Sequence, residues 1–340
     1  MKTISIEKRS VKYLINSFGY FRKESPLFIK IINNLNYWRL LKELINENEI
    51  VKTGLKSEEV YFSRTEALKY FIVKNELDNH VIEQYKFSKT EIRKAHREIT
   101  LKLTVHNIVF DLGGVIADES DLDVKICEYL DTKVDWRVTN WRNYKEYSDW
   151  LVENQNPKWY DYFAQAAEFN IDENEITDLH TQYLHLVRFY DYSLEFINYL
   201  FNTGHTIFFI TGCNSKVLSL RLKLYDLEKF VSGFVTSDTG GEIGNKEPYY
   251  TEFFKKYNLH PKDCLLITDN FFKDGLPANR FNLKNALFIE GGRTNNDFNS
   301  DGIQPDELAI LALLVSNKKN RPDIIFDSFK NLHRLFIIQS

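Results

Sequence analysis

From residue 106 onward, short apolar runs recur: NIVFDL (107–112), HTIFFIT (205–211), GFVTSD (233–238), CLLITD (264–269), ALFIEG (286–291) and PDIIFDS (322–328). They are rich in β-branched and aromatic residues and do not alternate with polar ones, whereas the segments between them carry a helical period. Continuous apolar strands separated by helices predict a parallel sheet covered on both faces. In such sheets ligands bind beyond the carboxyl ends of the strands.

One stretch breaks the alternation. Residues 119 to about 195 contain no good strand and read as helical, acidic and aromatic, holding Trp136, Trp141, Trp150 and Trp159, four of the five tryptophans. Inserted between the first two strands, they predict a separate helical cap over the carboxyl edge of the sheet. Its aromatics at helical spacing predict helix packing first, and a stacking surface for a sugar or base second.

The first hundred residues have a different pattern, mainly helical. ESPLFIKIINNL offers Ser25 as N-cap and Pro26 at the first helical position, and YWRLLKELINE follows as a second helix. EIVKTGLKSEEVYFS reads as a hairpin around Gly54. Ser63 with Glu66, and Ser88 with Glu91, form the spacing of capping boxes into two further helices. Two helices and a hairpin resemble a winged helix-turn-helix, with Arg39 and Lys42 on the recognition helix and Lys52 and Lys56 on the hairpin. A helical interaction or dimerisation module with solvated lysines accounts for the same pattern. The chain is thus expected to be α/β, a Rossmann-like parallel sheet with an inserted helical cap (106–340), preceded by a mainly α domain (1–105).

Charge sharpens that division. The net charge of −4 conceals +7 over residues 1–105, with 20 Lys and Arg against 13 Asp and Glu, and −11 over the remainder, with 24 against 35. Different partners are expected for the two parts, nucleic acid being one candidate for the first. The longest apolar run, LAILALLV (308–315), is far short of the roughly 20 residues of a membrane helix, and no signal-peptide block opens the chain, so no membrane association and a cytoplasmic location are expected. Cys127, Cys213 and Cys264 make no CxxC pair, and reduced thiols are expected. His180 and His185 share a helical stretch without metal-ligand spacing.

The polar residues that close the apolar runs carry the chemistry. Asp111 ends the first; Thr211 and Gly212 follow the second; Asp269 and Asn270 follow the fourth; Lys246 lies between. All are placed toward one edge of a parallel sheet, where carboxylates, a lysine and a hydroxyl suit a phosphate and a magnesium ion. A carboxylate attacks a phosphate dianion only when their repulsion is cancelled, which a divalent ion and a lysine provide.

In this order and spacing the motifs resemble the haloacid dehalogenase superfamily of phosphohydrolases, subfamily I with a helical cap, over about residues 106–336. The resemblance implies a magnesium-dependent phosphomonoesterase acting on a small phosphorylated substrate such as a sugar phosphate or nucleotide. Asp111 resembles the nucleophile that forms an aspartyl-phosphate and also ligates magnesium. Thr211, with the backbone N–H groups beyond it, resembles the motif that holds the phosphoryl group. Lys246 resembles the lysine that neutralises nucleophile and phosphate, and Asp269 the metal-holding acid; Gly212 and Asn270 join the substrate-binding set.

Two positions depart from the family pattern. Gly113 stands where a second aspartate usually serves as acid and base, so that only its backbone carbonyl is left to ligate metal. Losing such a group costs about 10² to 10⁴ in rate. Some subfamily I sugar phosphatases are similar in reading Asp-Leu-Gly there, and Asp118 and Glu119 are the nearest acids that could substitute. The supporting metal acid normally lies four residues after the metal aspartate, whereas Asp274 lies five after Asp269. The rival readings are a ligand-sensing DNA-binding regulator with a weak phosphatase-like site and a nucleic-acid end phosphatase; dehalogenation lacks a halide-pocket signature. The sequence leaves the oligomeric state, a dimer included, open.

Overall fold

The computed structural model describes residues 20–22, 37–48, 50–53, 60–154, 156–240, 246–288 and 322–337. Among them β1 (Tyr20–Arg22), β2 (Ile50–Thr53) and β3 (Val60–Ser63) form an antiparallel sheet in the order β1-β3-β2. β2 and β3 are the two arms of the expected hairpin, and YWRLLKELIN forms the helix Tyr37–Asn46 ahead of it. The helix expected over ESPLFIKIINNL, with Ser25 and Pro26, lies outside the described residues, as does Lys56.

All six apolar runs become strands: β4 (Asn107–Phe110), β7 (Thr206–Ile210), β8 (Val231–Val235), β9 (Cys264–Thr268), β10 (Lys284–Phe288) and β11 (Ile324–Phe326). Two shorter strands, β5 (Ala117–Asp118) and β6 (Arg188–Phe189), intervene. The six form one sheet in the order β11-β10-β9-β4-β7-β8. β7 runs parallel to β4 and β8, and β10 parallel to β9 and β11. Every residue of β4 and β9 is buried, which is why these runs carry no polar alternation.

By density of internal contacts the chain divides into His106–Cys264 and a second unit of Met1–Val105 with Leu265–Ser340. In the second, the helix Arg64–Lys74 packs against β11 and the helix Phe329–Ile337. Its residues 66–73 are all buried. Tyr70 donates to Asp327 at 2.8 Å, and Arg334 donates to the carbonyls of Ile72 and Val73 at 2.9 and 3.0 Å. Ser88 and Glu91 form their reciprocal capping box ahead of Lys89–Leu103. Ser63 does not: its hydroxyl is buried with no hydrogen-bond partner, and Glu66 pairs instead with Lys69 at 3.3 Å.

In the unit His106–Cys264, the segment after β4 is helical as expected, with helices Ser120–Lys133, Tyr144–Glu153, Tyr162–Glu168 and Glu173–Gln182. It is not free of strand. β5 and β6 pair antiparallel, Ala117 opposite Phe189 and Asp118 opposite Arg188, and so join the two ends of the inserted segment. Two residues a side are too few to leave a period in the sequence. Trp136 packs on Tyr147 and Phe169, and Trp141 on Trp150, Tyr147 and Phe169, at ring separations of 4.7 to 6.5 Å; Tyr147 is fully buried, Trp136 and Trp141 are half-buried and Trp150 is exposed. Trp159 lies instead against Tyr160, 4.3 Å between centroids. Cys127, Cys213 and Cys264 are free thiols, and no described helix is long and apolar enough to cross a membrane.

Candidate active site

β4 delivers Asp111 to its carboxyl end with a side chain only 13% exposed. Such a carboxylate needs compensation, and it has it. Oδ1 accepts from the Leu112 N–H at 2.9 Å, and Oδ2 accepts from Lys246 Nζ at 2.7 Å. Lys246 also donates to the Ile210 carbonyl at the end of β7, 3.3 Å away. It immediately precedes the helix Glu247–Tyr257 and is itself buried. A lysine drawn from 135 residues along the chain therefore meets the acid at the ends of β4 and β7.

Thr211 is the next residue beyond β7, buried, its N–H donating to the Val235 carbonyl at 3.1 Å. Gly212 follows, and a Cβ placed there would stand 3.8 Å from Tyr160 Cδ2. Downstream of Asp111 the chain turns sharply. Gly114 has φ +76°, the left-handed region glycine tolerates, and its N–H donates to the Ala117 carbonyl at 2.9 Å.

Gly113 has a different reason to lack a side chain. A Cβ on it would approach Glu119 Oε2 to 3.3 Å, tighter than ordinary contact. Glu119 is anchored there: Oε2 accepts from Arg221 Nη1 at 2.7 Å and Oε1 from the Tyr225 hydroxyl at 2.5 Å. Arg221 Nη2 donates to Asp123 at 2.5 Å. Burial raises the Glu119 carboxyl above its ordinary pKa, against the opposing pull of Arg221. Asp118, the other nearby acid, is committed elsewhere, accepting from Ser120 and from Arg188 at 2.8 Å.

The end of β9 supplies the remaining expected residues, Asp269, Asn270 and Asp274, all buried. The extra residue between Asp269 and Asp274 is taken up in a π-helical turn, Phe271–Gly275, a form of bulge frequent at functional sites. The turn is held by Thr268, whose hydroxyl donates to Asp274 Oδ2 at 2.5 Å and accepts from the Asn270 N–H at 3.1 Å. Arg221, Tyr225 and Tyr160 were not legible as site neighbours in the sequence and lie in no motif of their own; Thr268 lies in the run CLLITD but nothing there marked it as a support for the turn.

Comparison with known proteins agrees with the fold. The family model described as haloacid dehalogenase-like hydrolase matches residues 108–288. A haloacid dehalogenase phosphatase from Thermococcus onnurineus is similar in structure, with TM-score 0.50 and 16% identity, over 67% of this chain and 96% of that one. A predicted phosphoglycolate phosphatase from Haemophilus somnus aligns with TM-score 0.43 and 17% identity, over 68% of this chain and 98% of its own. The L-2-haloacid dehalogenase of Xanthobacter autotrophicus aligns with TM-score 0.43 and 16% identity, over 69% of this chain and 100% of its own. No curated protein matches the sequence.

Proposed function

The chain belongs to the haloacid dehalogenase-like hydrolases, and from that premise we propose that it is a magnesium-dependent phosphomonoesterase acting through an aspartyl-phosphate on Asp111. The observation that carries this reading is the buried pair of Asp111 with Lys246 at 2.7 Å at the end of the first sheet strand. The ammonium offsets the charge of the carboxylate in a partly desolvated place, as attack on an anionic ester requires.

Asp111, Asp269 and Asp274, with the carbonyl of Gly113, form the proposed metal-holding set. Hard oxygen donors suit magnesium, and so many carboxylates in a buried place call for a cation. When bound, magnesium supplies charge neutralisation and polarises the phosphoryl group. The acidic set favours a phosphate ester over a haloacid, whose displacement has no use for a divalent ion.

In the proposed cycle Asp111 forms a bond to phosphorus as the ester P–O bond breaks, and the leaving oxygen takes up a proton. Water then attacks phosphorus, giving up a proton as the aspartyl P–O bond breaks, and the carboxylate is restored. Thr211, the N–H groups about Gly212, and Asn270 bind the phosphoryl oxygens, while Lys246 offsets their charge. No side chain at residue 113 handles the proton, and both oxygens of nearby Glu119 are engaged by Arg221 and Tyr225. Reduced turnover and a strong dependence on the leaving group follow.

The test is hydrolysis of a series of aryl and alkyl phosphates of falling leaving-group pKa, in magnesium and in chelator. Turnover is expected only with the metal, rising steeply along the series. Equal rates in chelator, or halide release from 2-haloacids in place of phosphate release, would sink the proposal.

A further inference from the structure

We infer that the recess between Trp141 and Trp150 on the helical cap is a binding site for a small organic cation of the quaternary ammonium class, held by the two indoles and by Glu153.

The helix Tyr144–Glu153 turns Tyr144, Tyr147 and Leu151 inward and leaves its other face to solvent. Trp150 lies outside that buried stripe and is 39% exposed, and its ring stands 5.4 Å from that of Trp141 at 55°, so the two indoles meet as a corner. With Arg142, Lys145, Glu146, Asp149 and Glu153 they line a recess of about 470 Å³, a size suited to a small molecule. A single apolar side chain in water calls for no explanation; two contiguous indoles on one recess do.

The walls are set before a ligand arrives. Trp141 packs on Tyr147 and Phe169, at 4.7 and 6.5 Å between ring centroids. Its N–H donates to Thr139 Oγ1 at 3.1 Å, and that hydroxyl donates to the Trp141 carbonyl at 2.9 Å. Trp150 rides on a helix capped by Asn143, whose Oδ1 accepts from the Glu146 N–H at 2.9 Å. Pre-organised walls lower the entropy cost of binding.

Charge selects the ligand. Arg142 and Lys145 stand against Glu146, Asp149 and Glu153, one negative charge in excess. Arg142 Nε donates to Glu146 at 3.2 Å and Lys145 Nζ to Asp149 at 2.5 Å, so the cations of the recess are turned to its own acids and Glu153 supplies the excess. Glu153 is three residues beyond Trp150, one helical turn along the same face. An anion would be repelled there, and a neutral ring would leave the charge unused. An alkylammonium draws on both features, the indole faces through cation–π attraction and the carboxylate through its charge. Quaternary nitrogen suits the site best, because its methyl groups pack on indole and it has no N–H to strip of water. None of these residues belongs to the set proposed for phosphate and metal, and the inference does not depend on the phosphatase reading.

The experiment titrates the full chain with choline and with its neutral isostere 3,3-dimethyl-1-butanol, followed by calorimetry and by tryptophan fluorescence, for wild type, Trp150→Ala and Glu153→Gln. Wild type is expected to bind choline with a Kd on the order of 1 mM and the isostere about tenfold more weakly. Trp150→Ala should weaken choline binding about tenfold, and Glu153→Gln about threefold, the second effect shrinking in high salt. Glu153 is exposed, so its variant keeps the fold and tests the site even if Trp150→Ala does not fold. Equal affinity for choline and the isostere, no choline binding up to about 50 mM, or choline binding unchanged in the variants overturns the inference.

Discussion

Asp111 with Lys246, and Arg221 with Glu119 and Asp123, are two buried ion pairs of one folded unit, similar in residue type and in burial. Their surroundings differ. Arg221 and Glu119 are 6% and 5% exposed, both Glu119 oxygens are hydrogen-bonded, and Arg221 divides its forks between two carboxylates across the first helix of the cap. Asp111 and Lys246 are 13% and 11% exposed and stand at strand ends beside the glycine turn. The first group joins the cap segment to the helix Ser215–Leu224; the second is held where a ligand of a parallel sheet would bind. Burial of charge alone does not mark an active site; its place on the fold and the reach of its neighbours do.

The sharpest way to break this comparison is to remove one member of each pair. Asp111→Asn should lower phosphate release by on the order of 10³ or more, since a carboxamide is no nucleophile, while the protein still unfolds cooperatively in urea. Activity near the wild-type level would overturn the role of Asp111. Arg221→Met should do the reverse. It leaves Glu119 and Asp123 buried without their cation, a loss of about 3 to 5 kcal/mol in urea unfolding, with turnover per folded molecule little changed. If Arg221→Met proved as stable as wild type yet inactive, the network would belong to the chemistry.

The sequence made the first pair visible and hid the second for a physical reason. Asp111 interrupts an apolar run, and a polar residue closing a buried strand is conspicuous; Lys246 became assignable once Asp111 asked for a cation. Arg221 lies in an ordinary amphipathic helix, and its partners are 102 and 98 residues away, so no local period reports them. Five of the six strands were legible because burial over most or all of their length removes polar alternation, and β8 because its run is apolar although largely half-exposed, whereas β5 and β6 are too short to leave any pattern. The spacing of Asp269 and Asp274 showed the extra residue but not the π turn that houses it.

His180 extends the comparison to a buried group with no countercharge bonded to it. Fully buried in the cap, it uses Nδ1 toward the Ile176 carbonyl at 2.8 Å, while Nε2 has no hydrogen-bond partner. Burial lowers its pKa to about 4 from 6.5. The neutral ring is therefore the folded form, and its stabilising effect is complete above pH 6.5. As pH falls from 6.5 toward 4 the unfolded chain takes up the proton first, and that stability is lost. Urea unfolding at pH 7 and 5 should show wild type losing about 2 kcal/mol more than His180→Leu. Equal losses would mean that the ring is protonated in the fold.

The smallest expected effect repeats the lesson within the helical part, where Ser-x-x-Glu occurs twice and only one copy works as a cap. At Ser88 the hydroxyl accepts from the Glu91 N–H at 3.2 Å and the Ser88 N–H donates to Glu91 at 2.7 Å. Glu91 also accepts from Arg64 at 3.0 Å, the main reason its carboxyl is lowered to about 2. At Ser63 the hydroxyl is buried beside a helix whose glutamate has turned to Lys69, so the motif is present and its bonds are not. Ser88→Ala should cost about 1 kcal/mol, and Ser63→Ala, which removes a buried hydroxyl without a partner, should be neutral or slightly stabilising. Equal costs in urea unfolding would place a working cap at both serines. Unequal costs in the stated order would show that this motif, like the two ion pairs, takes its role from what surrounds it.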